Sequence, residues 1–437
     1  MTTAAPSQFR GWKKAGAIQS PHLMELASPA DAAALRIIRW ATVANVVAST
    51  SAFHESLLPP GLSPLQQYAS IALWLLITVA AMFVRPRLAW RPSTDTFAVL
   101  AFYGFAVLSV LWTDLSLPSL MKAAALLITS IGAYFLASRL ALEDIIAEMN
   151  KGLLVLTVAS VLIVIFVPSI GVDESWSHEG NWQGVFASKQ ALGITGAIFM
   201  FFSAYLWLVR GGRLQFAVSF GAAAACAIGS ESRGGGALAL VACACVYAAG
   251  RSPHIARTLA FVPMAIAIFA TGLISYLYAT GADAFEVFGA RIDLTERTFI
   301  WQHALAHFDE RPIFGFGING FWTNKEIYLE YLRAHGWVLD NFHSGYVAIL
   351  TETGLVGYAL FMLCTLLFGL RMSTSIDNRT MRRSRIVALI GFMVLIYMID
   401  LTETIFLRST SFTATLILVF FLNASLPLRA NDNERTP

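Results

Sequence analysis

Charge is scarce in this chain. Only 13% of its 437 residues are Asp, Glu, Lys or Arg, about half the ~25% usual for a soluble domain. That deficit excludes one large soluble core. A net charge of +3 is too small to recommend a nucleic-acid partner. Cysteine is also rare. Cys226, Cys243, Cys245 and Cys364 all lie inside apolar runs, where a thiol packs as a small hydrophobe, so neither a disulfide framework nor a cysteine metal site is indicated. The sequence holds no DxD pair, no P-loop and no HExxH motif. It therefore gives no signature of metal-chelated nucleotide-sugar chemistry, of P-loop phosphate binding or of a zinc protease. No repeat of fixed period is visible, which argues against an inverted-repeat transporter. Residues 1–36 are mostly polar and end without a small-residue cleavage site, so they read as an uncleaved cytoplasmic tail.

What the chain has in abundance is apolar length. Hydrophobic residues make up 57% of it and its mean hydropathy is +0.64. With roughly 20 apolar residues needed per span, twelve transmembrane helices are expected. They fall near 37–54, 66–84, 96–113, 118–138, 152–170, 190–209, 214–230, 234–250, 257–279, 343–370, 386–401 and 404–424. The expectation is an all-α polytopic protein, organised as a tail (1–36), nine helices (37–280), one large loop with short helices (281–342), three more helices (343–424) and a second tail (425–437). Placing the N-terminus inside puts 21 of the 30 basic residues on the inner side and 9 on the outer, whereas only 9 of the 27 acidic residues fall inside. The link RMSTSIDNRTMRRSR (371–385) alone carries five of those inner cations. Such asymmetry orients the chain with both termini inside.

The outer side then gathers the residues able to do chemistry, mostly between Arg291 and Gly357. Lys189 stands at the mouth of the sixth span and Arg233 in the ESRGGG link between the seventh and eighth. Either reads as a cation snorkelling to headgroups or as a phosphate ligand, since glycines opening a helix present N–H groups to anions and arginine matches phosphate oxygens. Arg297 lies in an amphipathic stretch, LTERTFIWQHALAHF, on one stripe with Trp301, Ala304 and Phe308; it either pairs locally with Glu296 or Asp293 or points inward as an anion ligand. His303 and His307 are spaced i, i+4, which can suit zinc. No defined set of further ligands accompanies them, so solvated or headgroup-facing histidines, and no metal, are expected. The glycine-rich run after Pro312 reads as a tight turn closing the amphipathic helix. His343 stands where the loop re-enters the membrane. An imidazole, with an ordinary pKa of about 6.5, can take a proton from a hydroxyl at neutral pH, although an interfacial capping histidine is the plainer role. Glu352 lies inside the next apolar run, where a carboxylate is costly and suggests a function. Nine residues from His343 on a straight helix it faces the opposite way, so it becomes a second catalytic group only if Gly354 or another break re-aims it; a structural bond to another span is the other reading. Asp400 and Glu403 read as structural ions near Arg408. The outer-loop aromatics Trp176, Trp182, Trp322, Tyr328, Tyr331 and Trp337 suit either an interfacial belt or sugar stacking.

Four motifs, taken in order, resemble one family. GVFASKQALG around Lys189, SRGG at Arg233, RTFIWQHAL with PIFGFG after it, and HSGYVAILTETGLVG from His343 together resemble the O-antigen ligase and Wzy-type polymerase superfamily. The likeness is nearest to exopolysaccharide polymerases of the succinoglycan type. It covers roughly 180–360 by motif and the whole chain by topology, with one departure at Gln190, where asparagine is common. The resemblance implies a metal-independent glycosyltransferase of the bacterial inner membrane, with its large loop in the periplasm and no cofactor. Its donor would be an undecaprenyl-diphosphate-linked glycan. The implied role of Arg297 and Arg233 is to bind the diphosphate, with Lys189 as a further donor-site residue, and that of His343 is to act as base. The expected activity is polymerisation of repeat units into exopolysaccharide, working with the flippase and the chain-length and export proteins of such a pathway. A ligase passing a finished glycan to lipid A-core or another acceptor, and a transporter of the same glycan or its lipid carrier, are the alternatives. The transporter would call for paired charges near the midplane of several spans, whereas here charge collects at one face.

Overall fold

The computed structural model describes residues 29–50, 63–86, 93–113, 117–173, 180–231, 235–282, 284–287, 290–293, 295–336, 341–408 and 411–426. Each expected span holds helix. They are α1 (Pro29–Ser49), α2 (Ser63–Met82), α3 (Thr94–Leu108), α4 (Leu117–Arg139), α5 (Leu142–Phe166), α6 (Lys189–Val209), α7 (Leu214–Gly229), α8 (Gly235–Arg251), α9 (Pro253–Ala260) with α10 (Val262–Thr280), α13 (Gly345–Asp377), α14 (Arg383–Ile399) and α15 (Phe412–Ser425). Among the described residues seven helical segments are long and apolar enough to cross a membrane, and α7, α8 and α15 are shorter apolar helices. The chain is an all-α, multi-pass membrane protein. Its boundaries follow local chemistry. Ser188, Ser252 and Ser411 accept from the N–H groups of Ala191, Ile255 and Ala414 at the starts of α6, α9 and α15, as N-caps do. Gly281 closes α10 in the left-handed conformation. The largest boundary differences are at α1 and α5, which begin eight and ten residues early, at α13, which runs seven residues further, and at α15, which begins at Phe412 because residues 401–408 are folded as a link.

The most enclosed helices are α6, α14 and α15. Phe392 and Phe420 stack at 3.9 Å between ring centres, with Phe202 beside them. Gly391 admits Val246 and Phe201, which a Cβ there would strike. Arg385 is buried at the start of α14 and donates to the Asn423 and Leu426 carbonyls at the end of α15. The peripheral helices carry outward-facing Trp40, Phe83, Leu111, Phe166 and Phe269, as lipid-facing surfaces do.

The expected loop 281–342 is itself folded. It contains a small antiparallel hairpin the sequence did not suggest, β1 (Ala284–Val287) and β2 (Ala290–Asp293), in which Ala284 pairs with Asp293. Two helices follow, α11 (Thr295–Ala306) and α12 (Lys325–His335). Asn324 caps α12 through two N–H bonds and left-handed Gly336 ends it. Phe321, Trp322, Tyr331 and Phe342 pack edge-on and tilted into one cluster. Trp322 and Tyr331 are therefore core residues of this unit, not belt or sugar-stacking rings.

Helix α13 breaks at Gly354 (φ 64°, ψ −168°). A break inside an apolar helix leaves backbone groups bare, each worth several kcal/mol in hydrocarbon, and here the segment 312–317 covers them. Phe316 N donates to Thr351 O (3.0 Å) and Gly317 N to Glu352 O (2.7 Å), while Leu355 N and Val356 N donate to Pro312 O (2.9 Å) and Ile313 O (3.1 Å). The approach requires glycine. A Cβ on Gly315 (φ +69°) would stand 2.5 Å from both the Glu352 carbonyl carbon and Gly354 N. Gly315→Ala should therefore cost at least about 2 kcal/mol, since it adds overlap to left-handed strain. Gly272→Ala, at a helical site with open space around it, should change stability by no more than about 1 kcal/mol. Thermal unfolding of the two purified variants checks this, and equal melting would refute the patch.

Candidate functional site

Helix α11 lies with Trp301 and Ala304 buried, so its Arg297–Trp301–Ala304 stripe does face inward as the spacing suggests. One turn apart, its two functional side chains hold different segments. Trp301 Nε1 donates to the Phe342 carbonyl at 2.9 Å, one residue before His343. Arg297 Nε donates to the Thr402 carbonyl at 3.3 Å, and its guanidinium lies 3.5 Å from Glu403 Oε1. The other Glu403 oxygen is 3.7 Å from His343 Nδ1. Arg297 and His343, 46 positions apart, thus converge on one carboxylate. Glu403 escaped the sequence reading as a site residue, because a carboxylate in a short TETIF link gives no signal until folding brings it to α11.

His343 is held in place by its backbone. Its φ is +48°, a region a non-glycine residue enters at a cost. The Asn341 side chain secures it by accepting from His343 N at 2.8 Å. The next turn is anchored as well: Gly345 N donates to the Asp400 carbonyl at 2.9 Å, and a Cβ on Gly345 would run into the Asp400 carboxylate. That carboxylate, fully buried, accepts from Ile405 N at 2.9 Å and so shapes the 401–408 link. The buried Asp400 folds this turn, whereas Glu403 lies beside the candidate residues Arg297 and His343. At 3.7 Å the His343–Glu403 contact is too long for a hydrogen bond, and His343 Nδ1 has no hydrogen-bond partner among the described residues. Closing it takes under about 1 Å of motion, the kind of tightening that occurs when substrate binds. A carboxylate bonded to Nδ1–H would leave Nε2 as the proton acceptor. Arg297, His343 and Glu403 are all partly exposed, so a ligand can reach them.

Glu352 belongs to a second station. Its Oε1 accepts from Asn319 N at 3.0 Å, and Lys122 from the start of α4 donates to the Asn319 side chain and supplies the opposing charge. On α13, Glu352 is about 13 Å of helix rise from His343, and the Gly354 break comes after it, so the break does not swing it toward His343. Gly315, Gly317 and Gly320 are spaced as GxGxxG, yet every N–H from Gly315 to Gly320 is used internally. The acceptors in order are Arg311 O, Thr351 O, Glu352 O, Ser109 Oγ, Glu352 Oε1 and Gly317 O. No N–H is left there for a phosphate.

Lys189 opens α6 and is half-buried. Four residues on, Gly193 meets Gly235, the first residue of α8, so closely that a Cβ on Gly235 would lie 2.8 Å from the Gly193 carbonyl oxygen. Arg233 precedes Gly235 by two positions and lies outside the described residues. Trp182 N donates to Gly229 O at 2.8 Å, which seats the loop before Lys189 on the end of α7. Among the described residues no hydrogen bond or ion pair joins Lys189 to the Arg297–Glu403–His343 group. His303 lies elsewhere on α11, its ring 4.8 Å from that of His307; burial, then the neighbouring His307, lowers its pKa.

The two carboxylates should behave differently when removed. Glu352→Ala leaves the buried Asn319 N–H without its acceptor and should cost on the order of 2 kcal/mol. Glu403→Ala, in a partly exposed pair with no short bond to His343, should cost about 1 kcal/mol. Melting temperatures of the two variants decide this, and a larger loss for Glu403→Ala would reverse the assignment.

Comparison with known proteins covers the same region. Residues 218–362 match the family model described as O-Antigen ligase. The match runs from α7 into α13 and holds Arg233, Arg297, His343 and Glu352 but not Lys189. Over 289 residues the chain is 25% identical to "Exopolysaccharide production protein ExoQ" of Rhizobium meliloti (strain 1021), the alignment covering 62% of this chain and 64% of that protein.

Proposed function

From the premise that this chain, with its O-antigen ligase domain, stands in the O-antigen ligase and Wzy-type polymerase superfamily, we propose that it is a membrane glycosyltransferase. It polymerises undecaprenyl-diphosphate-linked repeat units into an exopolysaccharide. The observation that carries this reading is the convergence of Arg297 and His343 on Glu403 where α13 begins. Glycosyl transfer from a lipid diphosphate needs two things: stabilised charge on the departing diphosphate and an acceptor hydroxyl relieved of its proton. Arg297 supplies fixed positive charge for the first, by preorganisation, with Arg233 and Lys189 on the same substrate. No metal is needed for that step. His343 Nε2 takes the acceptor proton as the acceptor oxygen bonds to the anomeric carbon, and the carbon–oxygen bond to the diphosphate breaks through an oxocarbenium-like state. Glu403 orients the imidazole and stabilises its charge. Glu352 is assigned a positioning role, holding Lys122 and the Asn319 turn.

The charge asymmetry supports a bacterial inner-membrane location with both termini cytoplasmic and the 281–342 unit in the periplasm. There the spans shelter the polyprenyl tail and set the height of the reaction, while a flippase delivers substrate and chain-length and export proteins take the product. The likeness to the Rhizobium exopolysaccharide production protein favours a polymerase, and the match to the O-Antigen ligase family keeps a ligase as the second reading. A transporter is less well supported, since Arg297, His343 and Glu403 meet at one end of the helices and not as paired charges near the midplane of several spans.

The lipid-linked glycans of the native host separate these readings. With His343→Ala or Arg297→Ala at matched protein level, single repeat units should accumulate on the carrier and polymer should fall at least about 100-fold, in line with losing a general base or a fixed charge. Glu403→Gln should slow the same step about 10-fold or more without lowering protein level. Full-length chains stranded on the carrier would make the protein a ligase. A wild-type profile in both single variants, with a changed profile on deletion, would overturn the site.

A further inference from the structure

Outside the proposed reaction site, one cluster has ligand chemistry and no role in glycosyl transfer. His303 on α11 and His307, the residue just past its end, meet Glu330 on α12, with one ligand atom from each residue lying within 4.8 Å of the other two. The two histidines sit roughly 80–120° around α11 from Arg297. Their tautomers follow from their partners. His303 Nε2 is 3.2 Å from the Ile327 carbonyl; a carbonyl only accepts, so the proton is on Nε2 and Nδ1 keeps its lone pair. His307 Nδ1 is 2.6 Å from Glu310 Oε1, which places a proton there and leaves Nε2 as the lone-pair nitrogen. That nitrogen faces Glu330 Oε2 at 3.2 Å. Two acceptors so placed repel unless a second proton or a cation lies between them.

We propose that His303, His307 and Glu330 bind a zinc-class divalent cation that clips α12 onto α11. Two imidazoles and a carboxylate are donors zinc accepts, and a water completes the tetrahedron. The outer hydrogen bonds to Ile327 O and Glu310 are those that fix ligating histidines in other zinc sites. Tetrahedral arms of about 2.1 Å put ligand atoms about 3.4 Å apart, so the His307–Glu330 pair, at 3.2 Å, is already at ligand spacing and the His303 ring has only to turn and close onto it. The ring of His303 is backed by Trp322 and Tyr331, which limits its motion to that direction. The i, i+4 pair alone lacked a third ligand in the sequence; folding brings Glu330 from 23 positions away.

The clip is tested on full-length protein in nanodiscs, stripped with a chelator and titrated with Zn2+ by calorimetry, with Mg2+ and Ca2+ as hard-cation controls. One equivalent of Zn2+ should bind, with no measurable uptake of either control ion, and hydrogen exchange across 295–335 should slow on zinc addition. Glu330→Gln, an exposed change that leaves folding intact, should weaken binding at least 10-fold and abolish the exchange effect. His307→Ala should do the same while melting like wild type in chelator. Failure to bind one equivalent, or binding unchanged in Glu330→Gln, would overturn the proposal and leave a protonated His307 between Glu310 and Glu330. None of these readouts involves glycosyl transfer, so the outcome is independent of the activity proposed above.

Discussion

The structure depends on how a broken helix is made tolerable in an apolar surrounding. Helix α13 loses its own hydrogen bonds at Gly354, and the strand of chain from Pro312 to Gly317 replaces them with four backbone bonds of its own. Two donors and two acceptors are exchanged, so neither segment is left unsatisfied. This backbone exchange ties the extramembrane unit to the membrane helices. Around it lie Trp112, whose indole donates to Phe314 O at 3.1 Å, Ser109, which accepts from Ile318 N at 2.7 Å, and the Glu352–Asn319–Lys122 group. The unit is thereby fixed at one end, and α11 is free to place Arg297 and Trp301 at the other.

The second anchor is Asp400. Its buried carboxylate organises the turn after α14, and its carbonyl receives Gly345 N at the start of α13. His343 and Glu403 are three residues or fewer from these anchored points, so their separation is set by backbone and not by flexible side chains. Preorganisation of this kind is what a reaction with developing charge requires. The partly exposed Arg297–Glu403 contact at 3.5 Å is weak by itself. Its value lies in aiming the guanidinium without locking it.

The helices were legible because lipid demands about 20 apolar residues in a row, and that demand is written locally. Arg297 stood out through its apolar stripe and His343 through its place just before α13, and folding brings both candidates to Glu403. The rest depends on contacts that local pattern does not encode. Ser109 with Ile318 spans 209 positions, Lys122 with Asn319 spans 197, and Arg297 with Thr402 spans 105. Glu403 read as one more structural ion beside Asp400 because nothing in TETIF distinguishes a carboxylate that folds the turn from one that leaves it. The glycines after Pro312 signalled a turn correctly, but their purpose, close backbone approach to α13, needed the partner helix to become visible. Trp322 and Tyr331 were ambiguous for the same reason: an outer-loop aromatic reads as surface until the loop has a core.

The order of the patch and the break along the chain bears on how the protein is made. Residues 312–317 emerge from the ribosome before α13 does, by about the length of α12 and its flanks. With the 281–342 unit on the outer side, as proposed above, the backbone groups that will cover Gly354 cross before Gly354 reaches the bilayer. Helix α13 can enter as an unbroken rod and take its bend only as the unit above it closes, so insertion and folding need not compete. A permuted chain with α13 ahead of the patch would have to hold the bare carbonyls of Thr351 and Glu352 in lipid, or wait as a straight helix, until the later segment arrived.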